Sequence, residues 1–437
     1  MSLTTPELQQ RSLAAVWHPC TQMARAERVP PLPIQRGEGA WLYDFDGHRY
    51  FDANSSWWVN LFGHADAQLN AAIKQQLDTL PHVMLAGCTH EPAVRLAERL
   101  SARTGGALGH VFFASDGASA VEIALKQSFH SWRNLGHAEK REFVCLKNGY
   151  HGETIGALAV TDVAIFRDAY DPLLMRAHIA LSPDSRKGIE GQVKALAAMR
   201  ALLEERSGQI AAVIIEPLVQ GAAGMVMHSP AYLRALRAMT REFNVHLIAD
   251  EIAVGCGRTG TFFAWEQADA EWPDFVLLSK GITGGTLPLS LVLTTETIYR
   301  AFWSEDVTRG FLHSHSYTGN ALACAAANAV LDRFDAGQLE RNAAQSKMLA
   351  AAFAPLAEDT RVEHLRQRGL ILAFDVKEAP ERFAEKFHLA ARKHELLIRP
   401  IGHTVYLMPP YLIGPATASF LANAVTNTLN EVLADAA

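Results

Sequence analysis

The chain has 437 residues, 49% of them hydrophobic and 20% charged, with a formal net charge of −6. That length accommodates two or three domains, or one large and one small, and that composition supports a sizeable packed core and excludes a largely disordered chain. No Lys/Arg block points to nucleic acid, no basic amphipathic stretch to a membrane surface, and no run of about 18 apolar residues to a spanning helix.

The first residues, "MSLTTPELQQRSLAAVWHPC", lack a charged start and a long apolar core, so a signal peptide is not expected. Five scattered cysteines, Cys20, Cys88, Cys145, Cys256 and Cys324, include no C-x-x-C pair. Neither a disulfide framework nor a zinc site is expected, and a reducing, cytoplasmic setting fits. The chain to about Asp52 is Pro-rich and then strand-like, and "AWLYDFDGHRYFDA" carries a hairpin signal at Asp46-Gly47. From about Leu61 to Val330, apolar strand runs alternate with helical patterns. The strands are "HVFFA" (110–114), "EFVCLK" (142–147), "AAVIIEP" (211–217), "VHLIAD" (245–250), "DFVLLS" (274–279) and "LSLVLTT" (289–295). "SAVEIALKQSFHSWRN" and "PAYLRALRAMTREF" are helices among them. Continuous apolar strands with intervening helices predict a parallel or mixed sheet covered on both faces. After "GNALACAAANAVLDRF" comes a long Ala/Leu/Glu/Arg-rich helix, then a smaller α+β region with strands "LILAFDV" and "TVYLMP". The plan is therefore α/β. Residues 1–60 and 331–437 form a small α+β domain from both chain ends, and 61–330 form a large central one.

Four strand ends carry candidate chemistry. "DFVLLSKGITGG" ends an apolar run in Lys280, and in open α/β sheets ligands bind outside the carboxyl ends of strands. "VHLIADEIAVGCGRTG" delivers Asp250 and Glu251 in the same way, and a carboxylate there needs a cationic or hydrogen-bonding partner. The strand leading to Lys280 could lie beside it, because 30 residues is a usual β-α-β step. "FFASDGASAVEIALK" turns from strand to helix through Gly117-Ala118, an anion site by virtue of its free N–H groups, with Ser119 and Glu122 matching a capping box. "LKNGYHGET" places Tyr150 on a glycine-flanked loop where its ring could stack on a flat ligand. Each feature alone is more often an ordinary turn or a surface side chain. Together, an amine, a carboxylate, an anion cradle and an aromatic face are what pyridoxal phosphate requires.

"DEIAVGCGRTG", "LLSKGITGG", "NGYHGET" and "HSYTGNALACAAA", in their order along nearly the whole chain, resemble class III aminotransferases of the fold-type I pyridoxal-phosphate enzymes. The resemblance implies Lys280 as the Schiff-base lysine and Asp250 as the partner of the pyridine nitrogen. It implies Gly117 and Ala118 as phosphate amides and Tyr150 as the neighbour of the ring. It also implies a homodimer in which the loop "LHSHSYTGN" completes the partner's phosphate site through Ser316 with His315, and Ser314 lies on the substrate side. "VWHPCTQM", "NSSWWVNLFGH" and "LLIRPIGHTVYLMPPY" resemble the branch of that family that aminates 7-keto-8-aminopelargonate in biotin synthesis. In that branch Trp57 would line the substrate pocket, Arg399 would bind the substrate carboxylate, and position 20 would meet an S-adenosyl-L-methionine donor. The chain departs from the pattern at Cys20, where many relatives carry a stacking Tyr, and at His315, where some carry Pro. The donor is thus left between adenosylmethionine and lysine. The alternatives are another class III ω-amino-acid aminotransferase and a non-catalytic cofactor-binding protein on the same fold. No metal site is expected.

Overall fold

The computed structural model describes residues 4–434. The chain forms two compact units. One comprises the chain up to Ala67 and again from Ala344; the other runs Gln68–Ala343. These divisions fall later in the chain than the ones expected after residues 60 and 330. Among the described residues no helix is long and apolar enough to cross a membrane.

The larger unit is organised on a seven-stranded sheet. Its spatial order is His110–Ala114, Ser290–Thr294, Phe275–Leu278, His246–Asp250, Ile210–Ile215, Glu142–Leu146, Ala177–Ala180. Ser290–Thr294 runs antiparallel to both of its neighbours, and the other pairings are parallel. Every residue of Ile210–Ile215, His246–Asp250 and Phe275–Leu278 is buried, which is why these strands read as unbroken apolar runs rather than alternating ones. The edge strand Ala177–Ala180 gave no such signal, because only Ala180 is buried. The helix Gly117–Asn134 buries Ala120, Val121, Ile123, Ala124, Leu125 and Trp132 in one core with Ile214, Ile248, Phe275, Leu277 and Val292 of the sheet. Register does the functional work. Asp250 pairs with Leu277 and Ala249 with Ile215, so three strands run out side by side and deliver Asp250, Lys280 and Glu216 at the same edge.

The smaller unit holds two sheets. Arg36–Glu38, Trp41–Tyr43 and Arg49–Asp52 form an antiparallel set, and Leu396–Leu397 joins Arg49–Asp52 in parallel, which ties the two ends of the chain together. The hairpin expected at Asp46-Gly47 is present: Asp44 Oδ1 accepts the N–H groups of Asp46 and His48 at 3.0 and 2.9 Å, and Gly47 has φ +87°. Val362–Arg368, Ile371–Val376 and Thr404–Leu407 form a second, antiparallel sheet.

Candidate active site

Lys280 is the first residue after Ser279, whose Oγ–H is tied to the Leu289 carbonyl at 2.9 Å. The lysine itself has φ +43°, a left-handed conformation that turns the chain abruptly off the strand. Burial pushes its amine down to about 8, against the opposing pull of the Asp250 and Glu216 carboxylates. A lysine so placed has a substantial neutral fraction near neutral pH, as a nucleophile or base needs.

Asp250 is buried and fixed at both oxygens. Its Oδ2 lies 2.7 Å from His151 Nδ1, and its Oδ1 accepts the Ile252 N–H at 3.1 Å. Because the carboxylate accepts at His151 Nδ1, the imidazole carries its proton there. Among the described residues its Nε2 is buried without a hydrogen-bond partner, an orphaned polar atom of the kind found where a ligand is to be met. Glu251, delivered by the same strand, faces elsewhere: its two oxygens accept the Ala264 and Trp265 N–H groups at 2.6 and 2.7 Å, and burial pushes its pKa up to about 8.

Two residues of this cluster escaped the sequence reading. His151 stood inside the quoted "NGYHGET", but nothing local said which carboxylate it would meet 99 residues away. Glu216 follows the buried strand Ile210–Ile215, in the same position that made Asp250 conspicuous. Its oxygens accept the Gly221 and Tyr150 N–H groups at 2.9 and 3.0 Å, and burial raises it to about 7, with His151 opposing and Asp250 reinforcing.

The start of helix Gly117–Asn134 departs from the sequence expectation. Ser119 and Glu122 do not form a capping box. The N-cap of Gly117–Asn134 is Asp116, whose Oδ1 accepts the Ser119 N–H at 2.9 Å. Glu122 instead accepts from Thr154 Oγ1 and the Gly156 N–H, both at 2.7 Å, and so ties the end of the Tyr150 loop to the helix. Asp116 spends its capping on Ser119, which leaves the N–H groups of Gly117 and Ala118 as first-turn donors with no intrahelical acceptor. Gly117 has little space: a Cβ there would lie 3.0 Å from Ile252 Cγ2. Gly152, at φ +128°, brings the Tyr150 loop so close that a Cβ would meet the Ala118 Cβ at 2.6 Å. Tyr150 is half-buried, with its ring tilted against Phe166 at 5.4 Å and its hydroxyl donating to Glu153 at 2.9 Å. In the loop before "TGN", Ser314 and Ser316 are exposed, and His315 Nδ1 lies 3.5 Å from Ser115 Oγ.

In the smaller unit, Ser55, Ser56, Trp57 and Trp58 are consecutive non-glycine residues at φ +50°, +47°, +75° and +73°. A left-handed conformation costs about 1 to 2 kcal/mol per residue for L-amino acids, so the turn persists only under outside constraint. It presents Trp57 half-exposed, while Trp58 is buried with its Nε1–H donating to the Tyr406 hydroxyl at 3.0 Å. The Arg399 guanidinium lies over the Trp57 ring, 5.4 Å from its centroid, within cation–π range. Asn54 joins the two, taking the Arg399 N–H on Oδ1 at 2.7 Å and donating through Nδ2 to the Tyr406 carbonyl at 3.1 Å. Cys20 is exposed at φ +47°, just ahead of Thr21, whose Oγ1–H donates to the Pro19 carbonyl.

The large-unit donor set fits pyridoxal phosphate. A depressed lysine faces the aldehyde's chemistry, a buried and oriented carboxylate suits a ring nitrogen, and a cradle that a Cβ would crowd leaves backbone amides for the phosphate. The model of the aminotransferase class-III family matches residues 22–429. The adenosylmethionine-8-amino-7-oxononanoate aminotransferase of Helicobacter pylori is 44% identical over 92% of this chain and 94% of its own length. The crystal structure of the Methanocaldococcus jannaschii protein of the same name superposes with a TM-score of 0.92 at 34% identity, covering 97% of this chain and 99% of that one. An amine transaminase from an uncultivated Pseudomonas species, solved with pyridoxal phosphate bound, gives 0.90 at 30% identity over 96% of this chain and 99% of that one. The fold is thus common to enzymes of different substrates, whereas a match over nearly every residue, on a chain whose strand ends assemble these donors, has one reading at the level of family: the chain belongs to the class-III aminotransferases.

Proposed function

We propose that this protein transfers an amino group to 7-keto-8-aminopelargonate (8-amino-7-oxononanoate) to give 7,8-diaminopelargonate, a step of biotin biosynthesis, with S-adenosyl-L-methionine as donor. The observation that carries the proposal is the 44% identity to a relative of that name across 92% of the chain. The Trp57–Arg399 corner supports it, because an aromatic wall beside a guanidinium suits an alkyl chain ending in a carboxylate. The enzyme works as a cytoplasmic homodimer, in which His315 and Ser316 of one subunit complete the phosphate site of the other.

When bound, pyridoxal phosphate supplies an aldehyde that condenses with amines and a protonated ring that draws off the electron pair left when a Cα proton departs. Lys280 Nζ would hold the cofactor covalently at rest and, once freed by a substrate amine, would take the substrate Cα proton as base and deliver it as acid to the carbon that bore the aldehyde. Its low pKa keeps the neutral form accessible. Asp250 would hold the proton at the ring nitrogen, and His151, 2.7 Å from its Oδ2, keeps that carboxylate from rotating away. The Gly117 and Ala118 amides would bind the phosphate, Tyr150 would flank the ring, and Ser314 would stand on the substrate side. Arg399 takes the acceptor carboxylate, Trp57 lies along its chain, and Cys20 occupies the donor side.

The test is direct. Purified holoenzyme is incubated with the keto acid and either adenosylmethionine or lysine, and the diamine is followed by mass spectrometry. Formation of the diamine with adenosylmethionine is expected. Formation with lysine alone would move the donor assignment. Turnover only of simple ω-amino acids would replace the proposal with that of a general ω-aminotransferase.

A further inference from the structure

The left-handed turn Ser55–Trp58 poses a question that substrate recognition alone does not answer: what keeps four strained residues in place. Asp52, buried to 1% exposure, lies directly behind the turn. Its Oδ1 accepts the Ser56 N–H at 2.9 Å and its Oδ2 accepts the Ser56 hydroxyl at 2.6 Å. A second donor reaches Oδ2 from the other side, His64 Nε2 at 3.0 Å.

The Gly63 N–H lies 2.7 Å from Asn60 Oδ1, which fixes the amide with its nitrogen toward His64. Asn60 Nδ2 can only donate, so His64 Nδ1, 3.1 Å away, accepts. The imidazole proton is then on Nε2 and points at Asp52. His64 cannot drift, because its backbone exchanges hydrogen bonds with Gly39 at 2.6 and 3.1 Å. Gly63, at φ +94°, lets the segment approach, since a Cβ there would meet the Gly39 carbonyl oxygen at 2.8 Å. Three donors thus converge on one buried carboxylate, two of them from the single residue Ser56 at the start of the turn.

We infer that Asp52, supported by His64, is a positioning residue for substrate recognition: its carboxylate holds Ser55–Trp58 left-handed and so sets Trp57 face to face with Arg399. Asp52 acts through Ser56, whose N–H and hydroxyl both donate to it. The inference deepens the acceptor-recognition role proposed for Trp57 and Arg399 and rests on it. An ordinary right-handed turn would rotate the Trp57 side chain out of register with Arg399, whose own backbone stays pinned by Asn54.

The experiment compares wild type, Asp52→Ala, Asp52→Asn and Asp52→Ala combined with Ser56→Gly, all as holoenzymes. The expected result for Asp52→Ala is a rise of at least tenfold in the KM for the keto acid, with kcat and the bound-cofactor absorbance within about twofold of wild type. Adding Ser56→Gly should recover most of the loss, because glycine adopts a positive φ without steric cost. Asp52→Asn keeps the volume and one acceptor and serves if the alanine variant does not fold; its KM should also rise, by less. An unchanged KM, a parallel loss of KM, kcat and cofactor absorbance, or a loss that Ser56→Gly leaves untouched would each overturn the inference. Thermal midpoints separate this outcome from failure of the functional proposal. They report the turn without substrate and should fall in Asp52→Ala and recover with Ser56→Gly even if the wild type does not use this keto acid.

Discussion

Lys280 stands at the end of a strand buried along its whole length, in a sheet whose neighbouring strands deliver Asp250 and Glu216 by register. Trp57 stands in a turn of left-handed residues in a unit of short strands, held by hydrogen bonds to Asp52, Met408 and Tyr406. The first arrangement draws its precision from the close-packed sheet, where shifting a strand would disrupt the whole core. The second draws it from a few polar contacts working against local strain. The difference suits the tasks. On the proposed function, cofactor chemistry, common to the family, uses the rigid sheet edge. Substrate choice varies, and a turn held by a handful of side chains can be re-aimed by changing few of them.

Breaking the first arrangement should have the larger effect. In its proposed role Lys280 is both covalent anchor and proton carrier, so in Lys280→Ala turnover should fall by more than the roughly 10² to 10⁴ that acid–base help alone supplies, with the circular dichroism unchanged. Near-normal transamination would remove Lys280 from its role. The same lysine sharpens the comparison through pH. Its amine is pushed down by burial from 10.5 to about 8, so it is protonated below that pH and neutral above it. The rate of covalent cofactor attachment to apoenzyme should therefore climb with pH and level off just above 8. A rate still climbing steeply at pH 10 would show that burial does not depress the amine.

Breaking the second arrangement should leave the cofactor in place. Arg399→Ala should raise the KM for the keto acid roughly ten- to hundredfold, because losing a hydrogen bond to a charged group costs about 1.5 to 3 kcal/mol. An unchanged KM would make its stacking on Trp57 a matter of surface packing alone. The smallest change is expected at Cys20. Cys20→Tyr should lower the KM for adenosylmethionine by an amount worth at most about 1 to 3 kcal/mol, the range for base–aromatic stacking. No change would mean that another group already covers the adenine or that adenosylmethionine does not bind there.

The two regions also differed in how far the sequence revealed them. The central strands of the sheet were legible because they are buried along their whole length, and the candidate chemistry lies where those apolar runs stop, at Lys280 and Asp250. Glu216 obeys the same rule, directly after the buried strand Ile210–Ile215. The capping assignment failed for a local reason: Asp116 competes with Ser119 for the helix start and wins, freeing Glu122 for the Thr154–Ala157 segment. The His151–Asp250 pair and the Asp52–His64 pair could not be foreseen, since which partners meet is decided by tertiary packing. Nothing in "NSSWW" announces a left-handed turn either. Serine and tryptophan carry no preference for positive φ, and the conformation is imposed from outside the segment.

The central claim is that the cofactor is carried on Lys280, at the edge of the large sheet. Reducing the holoenzyme with borohydride and mapping the peptides by mass spectrometry tests it most directly. The account predicts one pyridoxyl group per chain, on Lys280. A label on another lysine, or label spread among surface lysines with Lys280 unmodified, would contradict it.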